Sequence, residues 1–396
     1  MNIFNSLGSN YSLTFVKFSL EAFLFHLIGK KDSSSLQKLQ TSLEKKYNKK
    51  ALLTYKGRHA ITLALLGSGL KPGDKVALQA FTCWAVEEAI HTAKMRPVYI
   101  DIKKADVNPG LEEIKTAYAQ DKSIKALIVQ HTFGSPAEIK AISQWASDNS
   151  IFVIEDLAHS FGTQPQKGKE LGMYGDAVAL SFGRDKIIDA ISGGALLTTT
   201  KAPSPVAQLK DSQVLKDLLY PLLTYSIRQS YSLGFGKVLH LLLKKTPLLI
   251  SPIANLSPSV SALPASHAGL ALHALDQAEA TKVHRQKITA IYRKGIRKDL
   301  QIEGLLDENL GYLRFPIVVE KRDNLNKILK EKGVYLGDTW YKNVVEVGSL
   351  KIKSSYIQGS CPNAEALSRR IYNLPTHIQI TTSKAQAITK LVNQYA

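Results

Sequence analysis

The chain has few cysteines, few acidic residues and no long uninterrupted apolar run. Its two cysteines, Cys83 and Cys361, cannot build a disulfide framework and form no C-x-x-C pair, which suits a reducing compartment. The longest stretch without a charge, residues 246–275, contains four prolines, and the apolar N-terminus carries Lys17 and Glu21. Neither stretch predicts a membrane-spanning helix, and the N-terminus lacks the features of a signal peptide. We therefore expect a cytoplasmic protein, either soluble or peripheral at the inner face of the membrane.

The shortage of acids makes the chain strongly basic. Its 51 Lys and Arg residues face 33 Asp and Glu residues, which gives a formal net charge of +18. Such a surface favours anionic partners, which include nucleic acid, phosphorylated small molecules and anionic lipid. The sequence has no zinc-knuckle spacing and no RNP-like aromatic motif. We therefore expect neither a nucleic-acid partner nor a metal site.

Short apolar strands alternate with amphipathic helices from residue 51 onwards, as in "RPVYIDI", "KALIVQHTF" and "IFVIEDL". This alternation predicts the α/β class, with a mostly parallel sheet that is covered by helices on both faces. Ligands of such sheets bind beyond the carboxyl ends of the strands. We divide the chain into a helical arm (1–50), a large α/β domain (51–262) and a small C-terminal domain with its connecting helix (263–396). An apolar, basic insertion lies at about 203–260.

An acidic pair ends one predicted strand, in "FVIEDLAHSFG". Asp156 follows four apolar residues and Glu155, and His159 comes one turn later. A carboxylate at this position can hold a protonated ring nitrogen, and partial burial strengthens such an ion pair. The alternative is an ordinary helix N-cap aspartate. The residues alone leave both interpretations open.

Two further features follow predicted strands. In "GDAVALSFGRDK" a strand ends at Ser181, and Lys186 follows after a short turn. A lysine becomes a nucleophile that forms Schiff bases when burial or nearby cations lower its pKa, although an ordinary surface lysine is the alternative. In "TYKGRHAI" a glycine turn leads into a helix, whose first N–H groups can bind phosphate beside Lys56 and Arg58. A simple helix cap explains the glycine equally well.

The three features together resemble a known arrangement. A phosphate turn, an acid about 100 residues later and a lysine 30 residues beyond it are similar to the pyridoxal-phosphate enzymes of the aspartate aminotransferase fold. More narrowly, the chain resembles the DegT-type (DegT/DnrJ/StrS) sugar aminotransferase family. The resemblance covers roughly residues 34–200 and 264–396 and is carried by "PGDKVALQAFTCWAVEEAIHTAKMRPVYIDI", "VIEDLAHSFG", "LSFGRDKIIDAISGG" and "CPNAEALSRRIYNLPTHIQIT". It implies the fold of type I pyridoxal-phosphate enzymes.

The resemblance also implies catalytic roles. Lys186 would form the Schiff base with pyridoxal 5'-phosphate and then act as acid and base. Asp156 would pair with the pyridine nitrogen and keep the ring an electron sink. His159 would lie near the cofactor's 3-hydroxyl.

Further positions would bind the cofactor. Ser181 and the Gly57–Arg58 turn would hold its phosphate. The ring that stacks on the cofactor would come from "FTCWAV", where the family's aromatic aligns with Cys83 or, after a shift of one residue, with Trp84. Of the two, we assign the stacking role to Trp84.

The activity implied is transfer of an amino group, with glutamate as donor, to a keto-sugar nucleotide in surface polysaccharide or amino-sugar biosynthesis. The enzyme would work as a homodimer. One alternative is a pyridoxal-phosphate enzyme of the same fold that acts on a lipid-linked sugar or another membrane-proximal substrate. The other is a non-catalytic cofactor-binding regulator or scaffold. The family's inter-subunit Asn and Arg motif has no clear match in "SVSALPASHAG".

Two segments fall outside the resemblance, the N-terminal arm and the insertion. Phe235, Val238, Leu239 and Leu242 share one face of a predicted helix. The two segments either pack on each other or across a dimer interface, or they contact an anionic membrane through 1–31 and 214–256. The cations that would face the lipid are Lys30, Lys31, Lys216, Lys237, Lys244 and Lys245.

Overall fold

A central sheet of seven strands organises the molecule. The computed structural model describes residues 2–30, 33–165, 169–205, 207–246, 248–249, 257, 259–305, 307, 309–347 and 353–396. The strands are β1 (Ile3–Phe4), β2 (Lys50–Thr54), β3 (Lys75–Gln79), β4 (Arg96–Ile100), β5 (Ile124–Gln130), β6 (Phe152–Asp156), β7 (Ala177–Ser181), β8 (Gly194–Thr198), β9 (Arg314–Val318), β10 (Val334–Tyr335) and β11 (Ile371–Pro375). The helices are α1 (Leu13–Leu27), α2 (Ser34–Tyr47), α3 (Gly57–Gly67), α4 (Trp84–Thr92), α5 (Leu111–Gln120), α6 (Ile139–Asp148), α7 (Asp211–Ser230), α8 (Phe235–Lys244), α9 (Ala265–Asp276), α10 (Ala278–Gly295), α11 (Arg322–Glu331), α12 (Pro362–Arg370) and α13 (Thr382–Tyr395).

The strand order of the central sheet is β2-β8-β7-β6-β5-β3-β4. β8 runs antiparallel to β2 and β7, and the other six strands share one direction. Their carboxyl ends therefore meet at one edge of the sheet. This architecture confirms the predicted α/β class and the mostly parallel sheet.

Helices cover both faces of the sheet because successive strand residues point to opposite sides. In β5, Ala126 and Ile128 pack with the core under α3 and α4. The alternate residues Leu127 and Val129 pack with the core under α2, α6, α7 and α9. Since both faces are covered, the middle of β5 is apolar on both sides, from Ala126 to Val129.

A smaller domain follows α9. β11 pairs antiparallel with β9, in register from Ile371 opposite Val318 to Pro375 opposite Arg314, and α10 to α13 enclose a separate apolar core. β1 pairs parallel with β10, so the N-terminus joins this part of the molecule. The domain boundaries at 50/51 and 262/263 stay predictions.

The N-terminal arm and the insertion contact each other through α1 and α7. The Ser19 hydroxyl donates to the Leu218 carbonyl over 2.8 Å, and the Tyr11 and Tyr220 rings meet edge to face. The arm and the insertion therefore pack on each other, which is one of the alternatives given for these two segments. Residues 1, 31, 247 and 250–256, which include Lys31, lie outside the described residues.

Two predicted helix boundaries differ from the structure. The connecting helix is two helices, because Gln277 bonds its N–H to the Leu275 carbonyl and interrupts the regular pattern between α9 and α10. The Ser-Pro pair in "SPAEIKAISQWASDN" predicts a helix that starts at Ser135–Pro136. α6 begins instead at Ile139, whose N–H is bonded to the Ala137 carbonyl in a tight turn.

Candidate active site

The predicted site residues meet at the carboxyl edge of the sheet. Gly57 follows β2, Cys83 follows β3, Asp156 ends β6, and Ser181 ends β7. Lys186 lies in the loop between β7 and β8. The parallel strands thus bring together segments that are 130 residues apart in the sequence.

Asp189 organises the loop that carries Lys186. Four groups donate to its buried carboxylate over 2.8 to 3.1 Å: the N–H groups of Asp185 and Ile191, the Tyr11 hydroxyl and the Asn10 amide. Asp185 and Ile191 both have left-handed backbone, with φ of 66° and 70°, which is costly for a β-branched residue. The Asn10 amide also donates to the Lys186 carbonyl over 3.1 Å. The carboxylate therefore fixes a strained loop on both sides of the lysine.

The Lys186 side chain is half-buried. Burial lowers its pKa from 10.5 to about 8, and the positive charge of Arg314 adds to this shift. Cys83, Asp156 and Asp185 act in the opposite direction. The amine lies 4.6 Å from the centre of the Trp340 ring. Near neutral pH such a lysine is much closer to its nucleophilic form than a surface lysine is.

Asp156 faces this amine from the end of β6. A turn, not a helix, follows the strand, so the alternative of a helix N-cap does not apply. One carboxylate oxygen accepts a hydrogen bond from the Ala158 N–H over 2.9 Å. Burial raises the pKa of Asp156, although this hydrogen bond and the charges of Lys186 and His131 counteract the shift. A cation placed beside Asp156 would stabilise its ionised form.

His159 is stacked between two rings. The Phe133 ring lies 5.9 Å from it at 13°, and the Trp340 ring lies 5.0 Å from it at 17°. The imidazole Nδ1 accepts from the Phe133 N–H over 3.2 Å. Burial, followed by the charges of Lys186 and Arg314, lowers the pKa of His159 well below its ordinary value. The ring is therefore neutral and carries its proton on Nε2, which lies 3.5 Å from the Tyr341 hydroxyl.

The predicted phosphate turn lies where α3 begins. A Cβ atom on Gly57 would come within 2.8 Å of the Ser181 Cβ, so only glycine lets the start of α3 approach the end of β7 this closely. The first N–H groups of the helix have no partner within it, and its dipole favours an anion at this end. Gly57, Ser181 and the N-terminus of α3 therefore lie next to each other.

Three cations surround this turn. Arg58 forms a buried ion pair with Glu88 of α4. Burial and the charge of Arg58 lower the pKa of Lys56 to about 8, and Arg184 contributes in the same direction. The Arg184 guanidinium lies over the Tyr220 ring at 3.5 Å. The positive charge of the turn thus comes from Lys56 and Arg184 as well as from Arg58.

α7 contributes a buried carboxylate, Asp217, to the same region. Asp217 accepts from the Tyr55 hydroxyl over 2.6 Å and lies 3.2 Å from His267 Nε2 and 3.9 Å from the Arg184 guanidinium. Burial would raise its pKa, but the hydrogen bond and charge of His267 and the charge of Arg184 outweigh burial and lower it. Asp217 and Tyr220 of the insertion therefore hold the Arg184 guanidinium in place.

The Trp84 ring lies at the start of α4. It packs with Val345 and is flanked by Tyr99 and Tyr356. The neighbouring thiol, Cys83, interacts electrostatically with Lys186, and burial raises the pKa of this thiol. The stacking role of Trp84 stays a prediction.

The predicted site residues did not include Asn10, Asp189, Asp217 and Trp340, which also lie in this region. Asp189 lies within the quoted lysine motif, and its position after two isoleucines indicates a buried acid. Asp217 is the only acid between residues 214 and 260. Trp340 is one of three tryptophans in the chain. Asn10 offers no comparable signal.

The chain matches the model of the DegT/DnrJ/EryC1/StrS aminotransferase family over residues 31–209 and 260–393. The chain belongs to this family. The match confirms the resemblance and covers nearly the same ranges. This member of the DegT/DnrJ/EryC1/StrS family is therefore an aminotransferase that depends on pyridoxal phosphate.

Its relatives agree with this assignment. A dTDP-3-amino-3,4,6-trideoxy-alpha-D-glucose transaminase from Streptomyces venezuelae is 23% identical over 344 residues, which cover 86% of this chain and 81% of that protein. A GDP-perosamine synthase from Escherichia coli O157:H7 is 32% identical over 145 residues, which cover 37% of this chain and 39% of that protein. The structure of NtdA from Bacillus subtilis with bound cofactor PMP aligns with a TM-score of 0.73 and 20% identity, covering 99% of this chain and 84% of that one. At this identity the structural likeness shows the fold.

The site of this DegT/DnrJ/EryC1/StrS protein fits the cofactor. Pyridoxal phosphate presents a phosphate, a pyridine nitrogen and a carbonyl group that lysine attacks. Lys56, Arg184 and the start of α3 would provide positive charge for the phosphate. Asp156 provides a buried carboxylate that a cation would stabilise, and Lys186 provides an amine with a lowered pKa.

Proposed function

We propose that the protein transfers an amino group from glutamate to a keto-sugar nucleotide, in surface polysaccharide or amino-sugar biosynthesis, and that it works as a homodimer. The observation that carries this proposal is the convergence of Lys186, Asp156 and His159 at the carboxyl edge of the sheet. The names of the Streptomyces venezuelae and Escherichia coli relatives support a sugar-nucleotide substrate. The basic character of the chain suits such an anionic substrate.

When bound, the cofactor would supply an electron sink for the reacting carbon of the substrate. Lys186 would hold the cofactor, and its amine would take up and release the proton that this carbon exchanges. A pKa of about 8 suits both tasks, because the amine accepts and releases a proton near neutral pH.

Asp156 and His159 set the electronic state of the ring. Asp156 would keep the pyridine nitrogen protonated, and this ion pair would offset the unfavourable burial of its carboxylate. His159 presents its Nε2 proton because the Phe133 N–H occupies Nδ1. The neutral imidazole would therefore be able to donate to the 3-oxygen of the cofactor without adding a positive charge.

The proposed phosphate-binding group consists of Gly57, Ser181 and the cations Lys56, Arg58 and Arg184. Arg58 shares its charge with Glu88, whereas Arg184 is held by the Tyr220 ring and by Asp217. We infer that Arg184 takes over part of the positive charge that the family's inter-subunit motif supplies, since that motif has no clear match in this chain.

Spectroscopy of the purified protein tests the proposal. We expect an absorbance band that borohydride abolishes, with the reduced cofactor located on Lys186 by peptide mass mapping. Lys186→Ala should lose this covalent label, and Lys282→Ala, a lysine paired on the surface with Glu279, should keep it. Glutamate should then convert the cofactor to its amine form, and a panel of keto-sugar nucleotides should restore the original band. A label on another lysine, or a band that no amino acid changes, would contradict the assignment.

A further inference from the structure

Helix α8 has an apolar side that faces solvent. Its inner side lies on α7, where a Cβ atom on Gly236 would clash with the Ile227 carbonyl oxygen. The outer side carries four large apolar residues that are 55% to 66% exposed: Phe235, Val238, Leu241 and Leu242. Their spacing of three and four residues makes a continuous stripe along the helix. Three residues of the predicted apolar face, Phe235, Val238 and Leu242, thus point away from the protein, whereas the fourth, Leu239, is half-buried.

The charges of α8 all have one sign. Lys237, Lys244 and the adjoining Lys245 are exposed, and the helix sequence "FGKVLHLLLK" contains no acid. A short helix with Leu and Phe on one side and Lys beside them has the composition of helices that lie in the interface of an anionic membrane. The apolar stripe and the lysines therefore favour the same partner.

Exposed apolar residues are concentrated in the segments that the family model does not match. Of the fourteen large apolar side chains exposed in the part of the chain that the structure describes, six lie in residues 13–28 and five in residues 233–242. Both segments fall outside the matched ranges 31–209 and 260–393. The surface thus belongs to additions of this chain rather than to the common aminotransferase fold.

We propose that α8 docks on an anionic membrane surface, with its apolar stripe among the lipid headgroups and its lysines on the lipid phosphates. No helix among the described residues has the length and apolar content needed to cross a membrane, so the contact is parallel to the surface. A second copy of the chain is a less suitable partner for α8, because a twofold interface would bring the lysines of the two copies close to each other. The proposal goes beyond the aminotransferase function and does not depend on it.

Vesicle flotation with the full-length protein tests the docking. We expect binding to vesicles of phosphatidylcholine with one third phosphatidylglycerol, and little binding to phosphatidylcholine alone. Each lysine at an anionic surface contributes roughly fivefold to binding, so Lys237→Gln/Lys244→Gln/Lys245→Gln should weaken it by roughly a hundredfold. Leu241→Ser/Leu242→Ser should also weaken binding, because it removes the centre of the stripe.

Matched controls separate this surface from general charge and apolarity. Lys321→Gln/Lys327→Gln/Lys330→Gln removes three exposed lysines near α11, and Leu66→Ser/Val283→Ser removes two exposed apolar residues elsewhere. Both controls should retain at least half of the binding. All variants should keep the cofactor band, which shows that they fold and that a loss of vesicle binding is independent of the aminotransferase site.

Two outcomes would overturn the proposal. One is binding that does not change in the α8 variants or does not require anionic lipid. The other is sedimentation velocity showing that Leu241→Ser/Leu242→Ser converts a dimer to a monomer, which would assign the stripe to a second copy of the chain.

Discussion

Lys186 depends on groups that are far from it in the sequence. Asn10 bonds its backbone carbonyl, and Asp189 fixes the strained residues on either side of it. Trp340 comes from the small domain and lies against its amine. The reactivity of this lysine is therefore a property of its surroundings rather than of the motif alone.

The lowered pKa of Lys186 predicts how cofactor capture by the apo-protein depends on pH. The amine loses its proton at about 8 rather than at 10.5, so the capture rate should rise up to about pH 8 and then level off. Stopped-flow absorbance between about pH 6 and pH 10 measures this profile. A rate that continues to rise towards 10.5 would show an ordinary surface lysine. Because the unfolded chain keeps this proton to higher pH, the contribution of Lys186 to folding stability also rises across this window.

Asp189→Asn tests the organisation of the lysine loop. The amide side chain has only one acceptor oxygen, so some of the four groups that donate to Asp189 would lose their hydrogen bond. We expect the free energy of unfolding to fall by about 2 to 4 kcal/mol, together with slower borohydride trapping at Lys186. Urea denaturation measures the first effect and mass mapping the second. Asp211→Asn, on an exposed acid paired with His26, should leave both unchanged.

At the scale of secondary-structure elements, α7 links the insertion to the cofactor site. One side of the helix packs on α1, while Asp217 and Tyr220 contact Arg184. Tyr55, next to the phosphate turn, donates to the same Asp217. The insertion is thus part of the structure that supports the phosphate-binding group.

Arg184→Gln should weaken binding of pyridoxal phosphate without affecting pyridoxal, which lacks the phosphate. A hydrogen bond to a charged group contributes about 1.5 to 3 kcal/mol, so we expect the Kd to rise roughly 10- to 100-fold. Absorbance titration of the apo-protein with both compounds measures the difference. Arg297→Gln, on an exposed arginine paired with Asp299, is the control. An equal loss for pyridoxal would show that Arg184 supports the fold and not the phosphate.

At the scale of the whole molecule, the sequence predicted those features that depend on residues close to each other in the chain. Asp156 and Ser181 end apolar strands and Lys186 follows after a short turn, and parallel strands bring such ends together. The contacts of Asn10 with Asp189 and of His267 with Asp217 span 179 and 50 residues, and no periodicity in the sequence encodes them. The outward direction of the α8 stripe was also beyond prediction, because an apolar face indicates burial but does not say against what.

The pairing of β1 with β10 has a consequence for the order of folding. Ile3 pairs with Val334, so β1 has no partner until about 330 more residues have been made. At 5 to 20 residues per second this takes from roughly a quarter of a minute to a minute. β1 thus pairs only after all the strands of the central sheet have been made. During synthesis it stays accessible to proteases and chaperones, although the parallel strands of the sheet are already available to fold.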